Sequence, residues 1–270
     1  MAILQAIILG IIEGLTEFLP ISSTGHLIVS QQLMGYKDVA ELFAVVVQVG
    51  AIAAVIWHYK NDLIKRTVGL FERKPRSIHF WRNWVVATIP AGLAGLALES
   101  ALGAAAVPLV IGITLILGGL GILVVERSVK VKPSRSEESI AELTTTQSVK
   151  IGLFQVLALV PGVSRSGATI MGGLLTGVDR VTATAFSFYL SIPIIVLASG
   201  YKLVSGWDEI PQISGGGIAL VAGLITSFVT ALIAINWLLK YVAHHDFKPF
   251  AYYRLGLGLL ILIAVVAGIL

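Results

Sequence analysis

The chain has 270 residues, 56% of them hydrophobic and 13% charged, with a formal net charge of +4. A soluble domain carries about 25% charged residues, so these figures exclude a compact body kept in water by its own surface. They also exclude disorder and collagen-like repeats. The absence of cysteine removes thiolate metal sites, cysteine nucleophiles and redox motifs. An integral membrane protein is what remains.

In chain order, residues 2–33 open apolar but carry Glu13, Glu17, Pro20, Ser22, Ser23, Thr24, Gly25 and His26. Two carboxylates and the lack of a basic leader argue against a signal peptide there. Apolar stretches long enough for transmembrane helices follow at 42–59, 83–98 (with Pro90 inside), 107–125, 183–201, 217–239 and 251–270, since a bilayer core of about 30 Å needs roughly 20 helical residues. Residues 58–82 read as a cytoplasmic loop, solvated and partly amphipathic. Residues 126–150, rich in Ser, Thr, Glu and Lys, read as a solvated cytoplasmic linker. Residues 151–178 repeat the style of the opening segment, with Pro161, Gly162, Ser164, Arg165, Ser166 and Gly167 at the centre. Both polar-centred segments have arms too short to cross, so they read as re-entrant helical hairpins.

The expected fold is therefore all-α: six transmembrane helices plus two re-entrant helical hairpins. Residues 13–28 align without a gap on 155–170, placing Leu15 on Leu157, Ser22-Ser23-Thr24-Gly25 on Ser164-Arg165-Ser166-Gly167 and Ile28 on Ile170. Three spans separate the hairpins, and an odd number makes an inverted-topology repeat. Its halves are 1–125 and 151–270, joined by the 126–150 linker within one membrane domain. On this topology, sixteen of the nineteen Lys and Arg fall on one side: Lys60, Lys65, Arg66, Arg73, Lys74, Arg76, Arg82, Arg127, Lys130, Lys132, Arg135, Lys150, Arg180, Lys240, Lys248 and Arg254. Only Lys37 and Lys202 fall on the other, and Arg165 lies within the second hairpin. That asymmetry puts both termini and the mouth of the first hairpin outside.

Ionisable groups inside membrane segments are functional candidates. Glu13 and Glu17, at i and i+4, share a helix face, repel each other and need a cation, a shared proton or a metal. Their hard oxygens suit Mg²⁺ or Ca²⁺; a proton-sharing or Arg-paired structural pair is the other reading. Ser22, Ser23 and Thr24 after Pro20 suit a helix N-cap, and such an N-terminus is also an anion site. His26, three residues past Ser23, is placed for a hydroxyl–imidazole pair. Arg165, between Ser164 and Ser166, offers a fork for phosphate oxygens or a counter-charge for Glu13 or Glu17. Trp57, Trp81, Trp84, Trp207, Tyr252 and Tyr253 read as an interfacial belt, and Gly10, Gly14, Gly92, Gly95, Gly118 and Gly121 as helix-packing positions. Two acids, a Ser–His neighbourhood and an Arg suit phosphoryl transfer from a lipid-borne substrate. A secondary transporter or lipid flippase shares the inverted-repeat architecture. A membrane scaffold would not need two buried carboxylates.

The runs E-G-L-T-E-F-L-P-I-S-S-T-G-H at 13–26 and P-G-V-S-R-S-G-A-T at 161–169 resemble the two signature motifs of the bacterial undecaprenyl-diphosphate phosphatase family linked to bacitracin resistance. The resemblance extends over nearly the whole chain. It implies hydrolysis of undecaprenyl diphosphate to the monophosphate and phosphate, recycling the carrier lipid for cell-wall synthesis. By the same resemblance Ser23 is the candidate nucleophile, with Glu17 and His26 assisting and Arg165 binding phosphate. Ser22, Thr24, Ser164, Ser166 and Thr169 surround the phosphate, and Glu13 and Glu17 stand near a divalent cation. Attack by Ser23 and attack by water activated at His26 or Glu17 both remain open. The expected partners are a polyprenyl diphosphate and membrane lipids, with a homodimer allowed and no nucleic acid. The expected place is the bacterial inner membrane, with the site facing the exterior.

Overall fold

A computed structural model describes residues 1–38, 41–129 and 136–270, with the backbone alone at 99–104 and 138. Every regular element among the described residues is helical. The chain begins with α1 (Ala2–Thr16) and α2 (Ser23–Met34), separated by a break around Pro20. Ser22 caps α2, its hydroxyl accepting the Gly25 N–H at 3.4 Å, and Gly35 closes that helix in the left-handed conformation. The longer α3 (Leu42–His58) turns through 71° into α4 (Lys60–Phe71). Next come α5 (Pro75–Ala104), which runs through Pro90, and α6 (Pro108–Ser128).

The second half begins at α7 (Thr145–Leu157), opened by a Thr144–Gln147 capping box. A break follows, then α8 (Arg165–Leu175), α9 (Arg180–Ser205), α10 (Gly216–Val242) and α11 (Lys248–Val266). The α6, α9, α10 and α11 helices are each long and apolar enough to cross a membrane, and the bent α3–α4 pair adds a fifth span if taken together. The apolar window of α11 is only 28% buried.

The helices pack in pairs. The α1 helix lies along α10, and its counterpart α7 lies along α5. Between them α3 crosses α9, while α6 pairs with α11. Close approach of α1 to α10 depends on Gly10 and Gly14: a Cβ at Gly14 would stand 2.1 Å from Thr230 Oγ1 and 2.3 Å from the Ser227 carbonyl. The main core gathers Phe18, Phe80, Phe186, Phe188, Tyr189 and Phe247 beside the two breaks.

Three expectations need correction. Residues 58–82 are not a solvated loop but α4 and the start of α5, with Arg66 buried against Asp62 and stacked over Phe80. The 126–150 stretch is not a free linker where it is described. Glu126 ends α6 buried in an ion pair with Arg180, Ile140 and Leu143 are core residues, and 145–150 belong to α7. Apolar side chains spaced among the polar ones give that segment a face to bury. Arg254 is not a solvated topology signal, being 1% exposed. Lys130, Lys132 and Arg135 lie outside the described residues.

Candidate active site

The two breaks face one another, and each is made by a serine in an unusual backbone conformation. Ser22 has φ 72° and Ser164 φ 73°, a left-handed region that costs a residue with a Cβ about 1–3 kcal/mol and is retained where the surroundings over-determine it. Each serine then caps the helix after it: Ser22 accepts from Gly25 N–H, and Ser164 from Gly167 N–H at 3.1 Å. The alignment of 22–25 on 164–167 is thus a repeat of geometry as well as of letters. Both short helices present their positive N-terminal ends at the meeting point, the arrangement that attracts anions.

The first residue of each helix meets Glu17. Ser23 opens α2 and its hydroxyl donates to Glu17 Oε2. Arg165 opens α8, and its Nη2 donates to Glu17 Oε1 at 3.1 Å. One carboxylate therefore joins a hydroxyl from the first half to a guanidinium from the second. Arg165 Nη1 is held by the Ser187 carbonyl at 2.9 Å, while its buried Nε has no partner among the described residues. A guanidinium tethered at two nitrogens with a third donor free is preset for one more acceptor.

The hydroxyls around Arg165 divide their labour. Ser166 donates to the Leu19 carbonyl at 2.8 Å, tying the second break to the first, and lies 3.1 Å from Ser164 Oγ. Thr169 donates to Ser187 Oγ at 2.7 Å. These side chains position Arg165 and the loops, so their hydroxyl protons are committed inside the protein. Thr24, half-buried, follows Ser23 in the first turn of α2.

Glu13 lies one helical turn before Glu17, fully buried, with neither carboxylate oxygen partnered among the described residues. Gln155, its counterpart in the repeat, is likewise buried with both amide atoms unpartnered. An orphaned carboxylate in such surroundings calls for a proton or a cation. Hard oxygens at Glu13 and the remaining lone pairs of Glu17 fit a divalent cation. No cluster of three or more Asp, Glu or His occurs among the described residues, so a cation held there would need hydroxyl, carbonyl, phosphate or water oxygens as well.

His26 departs from its expected pairing with Ser23. Its Nδ1 meets the Ser22 carbonyl at 2.7 Å and its Nε2 meets the Tyr253 hydroxyl at 2.7 Å. Tyr253 is thus a wall of the site rather than a belt residue, and Trp84 likewise bonds inward to the Tyr189 carbonyl at 2.9 Å.

Sequence reasoning also missed Arg254, the neighbour of Tyr253 on α11. All five of its hydrogen bonds go to backbone carbonyls: Pro20 at the first break, Gly162 and Val163 at the second, and Thr114 and Leu115 on α6, at 3.0–3.2 Å. The bare surface of Gly118 makes room for it, since a Cβ there would lie 2.0 Å from Nη2. The available signal was Arg254 falling inside an apolar span, one and a half turns past Lys248.

The chain matches the description of the bacitracin resistance protein BacA family over residues 6–260. It is similar to undecaprenyl-diphosphatase 1 of Burkholderia ambifaria, 45% identical over 98% of this chain and 96% of that protein. Its likeness to undecaprenyl-diphosphatase 1 of Paraburkholderia xenovorans is 44% over the same shares. Undecaprenyl-diphosphatase of Dechloromonas aromatica is 42% identical over 96% of this chain and 93% of its own length.

Proposed function

The chain belongs to the bacitracin resistance protein BacA family, and from that premise we propose that it hydrolyses undecaprenyl diphosphate to undecaprenyl phosphate and inorganic phosphate. The activity recycles the carrier lipid of cell-wall synthesis and accounts for bacitracin resistance. The observation that carries the reading is the Ser23–Glu17–Arg165 chain, a hydroxyl, a carboxylate and a guanidinium hydrogen-bonded across the two breaks, which supports a nucleophile, its base and a phosphate-binding fork in those roles.

In this reading the terminal phosphate lies between the N-termini of α2 and α8, against Arg165 Nε and the open amides of both caps. Glu17 takes the Ser23 proton as Oγ attacks the terminal phosphorus. The bridging P–O bond breaks, and undecaprenyl phosphate leaves with its electron pair. Water then attacks the phosphoserine, restoring Ser23 and releasing phosphate. The Glu17–Ser23 hydrogen bond favours Glu17 as the base of the first step; His26, bonded through Nε2 to the Tyr253 hydroxyl, would act on the second through that contact. Glu13 and Glu17 would hold a divalent cation, Mg²⁺ or Ca²⁺, whose charge when bound offsets that of the diphosphate oxygens.

Six spans and two re-entrant hairpins in an inverted repeat complete the proposal, with both termini outside the inner membrane and the site open to that side. Helix length supports re-entrance: the 15 residues of α1 and 13 of α7 reach only about 22 and 20 Å at 1.5 Å per residue, short of a bilayer core. The remaining basic residues at the ends of α3, α6 and α10, and at the start of α11, support the orientation.

Phosphate release from a prenyl diphosphate by purified protein in detergent tests the reading. Ser23→Ala and Glu17→Gln are each expected to lower kcat by at least about a hundred-fold, and a chelator is expected to abolish turnover until Mg²⁺ or Ca²⁺ returns. Full activity of Ser23→Ala would move the nucleophile to water. Lipid movement across vesicles with no phosphate release would favour a transporter.

A further inference from the structure

The two ring nitrogens of His26 have partners of different kinds. The Ser22 carbonyl can only accept, so Nδ1 carries the hydrogen and the neutral ring leaves its lone pair on Nε2. That lone pair meets the Tyr253 hydroxyl at 2.7 Å, with the two rings stacked 3° from parallel. Tyr253 is itself fixed from below, because the adjacent Arg254 binds the carbonyls of both breaks and α6. The first turns of α11 therefore carry a rigid contact to His26, although Tyr253 is half exposed and its ring alone would pass for an interfacial aromatic.

We propose that Tyr253 works with His26 as a relay: its hydroxyl holds the ring in the tautomer whose Nε2 is the basic atom and passes to that atom the proton of the attacking water. The inference rests on the phosphatase reading above and assigns His26 a partner within it. The Tyr253 O–H donates to Nε2 while the ring is neutral. When water attacks the phosphoserine it gives its proton to the Tyr253 oxygen while the Tyr253 hydrogen passes to Nε2; the new N–H then donates to that oxygen, and the proton count of the pair rises by one. Both states keep the hydrogen bond, so the transfer needs no movement of either ring. Ser23 is served separately by Glu17, and His26 and Tyr253 form a second, independent proton-handling unit on the other flank of the break.

The test is Tyr253→Phe in the purified full-length protein, assayed with a prenyl diphosphate and with ¹⁵N-labelled histidine. His26→Gln identifies the His26 resonances. Removing the hydroxyl while keeping the ring is expected to lower kcat about ten-fold, less than the hundred-fold or more of losing an acid–base group outright, with KM changed less than about two-fold. In a His26→Gln background the same change is expected to cost nothing further, since the two residues act as a unit. The His26 ¹⁵N spectrum of wild type should show Nδ1 protonated and Nε2 hydrogen-bonded, and Tyr253→Phe should mix the tautomers. Wild-type kcat with unchanged His26 resonances overturns the proposal. Equal losses in the wild-type and His26→Gln backgrounds overturn it too. If the wild-type protein releases no phosphate, the phosphatase reading fails, and the resonances still decide whether Tyr253 sets the tautomer.

Discussion

A buried guanidinium bound only to carbonyls is a geometric tool of high specificity. Its planar fork spans five acceptors on three segments, which an ammonium cannot do. Arg254→Lys keeps the charge but offers three donors from a single point, leaving carbonyls at Pro20, Gly162 or Thr114 without partners in an apolar interior. Each orphaned buried acceptor costs about 1–3 kcal/mol, so thermal unfolding in detergent should show a loss of roughly 2–4 kcal/mol. Activity should fall more than substrate binding, because both breaks lose their common anchor. A stable Arg254→Lys protein with native turnover would remove the clamp from the account.

Among the elements, the first hairpin arm shows how packing sets chemistry. Gly14 sits between Glu13 and Glu17 on α1, and even a methyl group there would meet Thr230 and the Ser227 carbonyl on α10. Gly14→Ala is expected to destabilise the protein by about 1–3 kcal/mol through overpacking and to displace Glu17 from Ser23, lowering kcat. Measuring kcat and thermal stability together separates the two effects. This part of the architecture was legible in sequence, since the glycine spacing, the Pro20 break and the hydroxyl caps are local signals. The ion pair of Arg165 with Glu17 was one of two readings open for that arginine, and the tie of Glu17 to Ser23 came from the family resemblance alone. What was not legible depends on packing between distant helices. The His26–Tyr253 contact joins residues 227 apart, and nothing near His26 announces it. Arg254 was read as a solvated cation because charge near a span end ordinarily is one; only the bare patch at Gly118 and the carbonyls of the two breaks reverse that reading. The 137–150 region was misjudged for a related reason, its few apolar side chains finding a groove between α5 and α9 that composition does not reveal.

For the molecule as a whole, contacts such as Glu17–Arg165 and Leu19–Ser166 join the first part of the chain to the second, and the proposed orientation fixes which end of each helix faces out. Reporter fusions after Gly103 and after Ser136 test it, with the first expected to report the exterior and the second the cytoplasm; the reverse result would invert the protein and turn its site inward. The ion pair between Glu17 and Arg165 also sets a timetable for biogenesis. The partners are 148 residues apart in the chain, an interval of roughly 7–30 s at 5–20 residues synthesised per second. For that time the first hairpin has its carboxylates and no guanidinium. Two like charges on an apolar face cannot both persist in hydrocarbon, so the nascent segment would carry protons or a cation on its carboxylates or wait at the headgroups until α8 emerges. If the second half completes insertion of the opening segment, a ribosome stalled before Arg165 should leave residues 1–33 open to water-soluble labelling reagents, and their full protection would overturn that order.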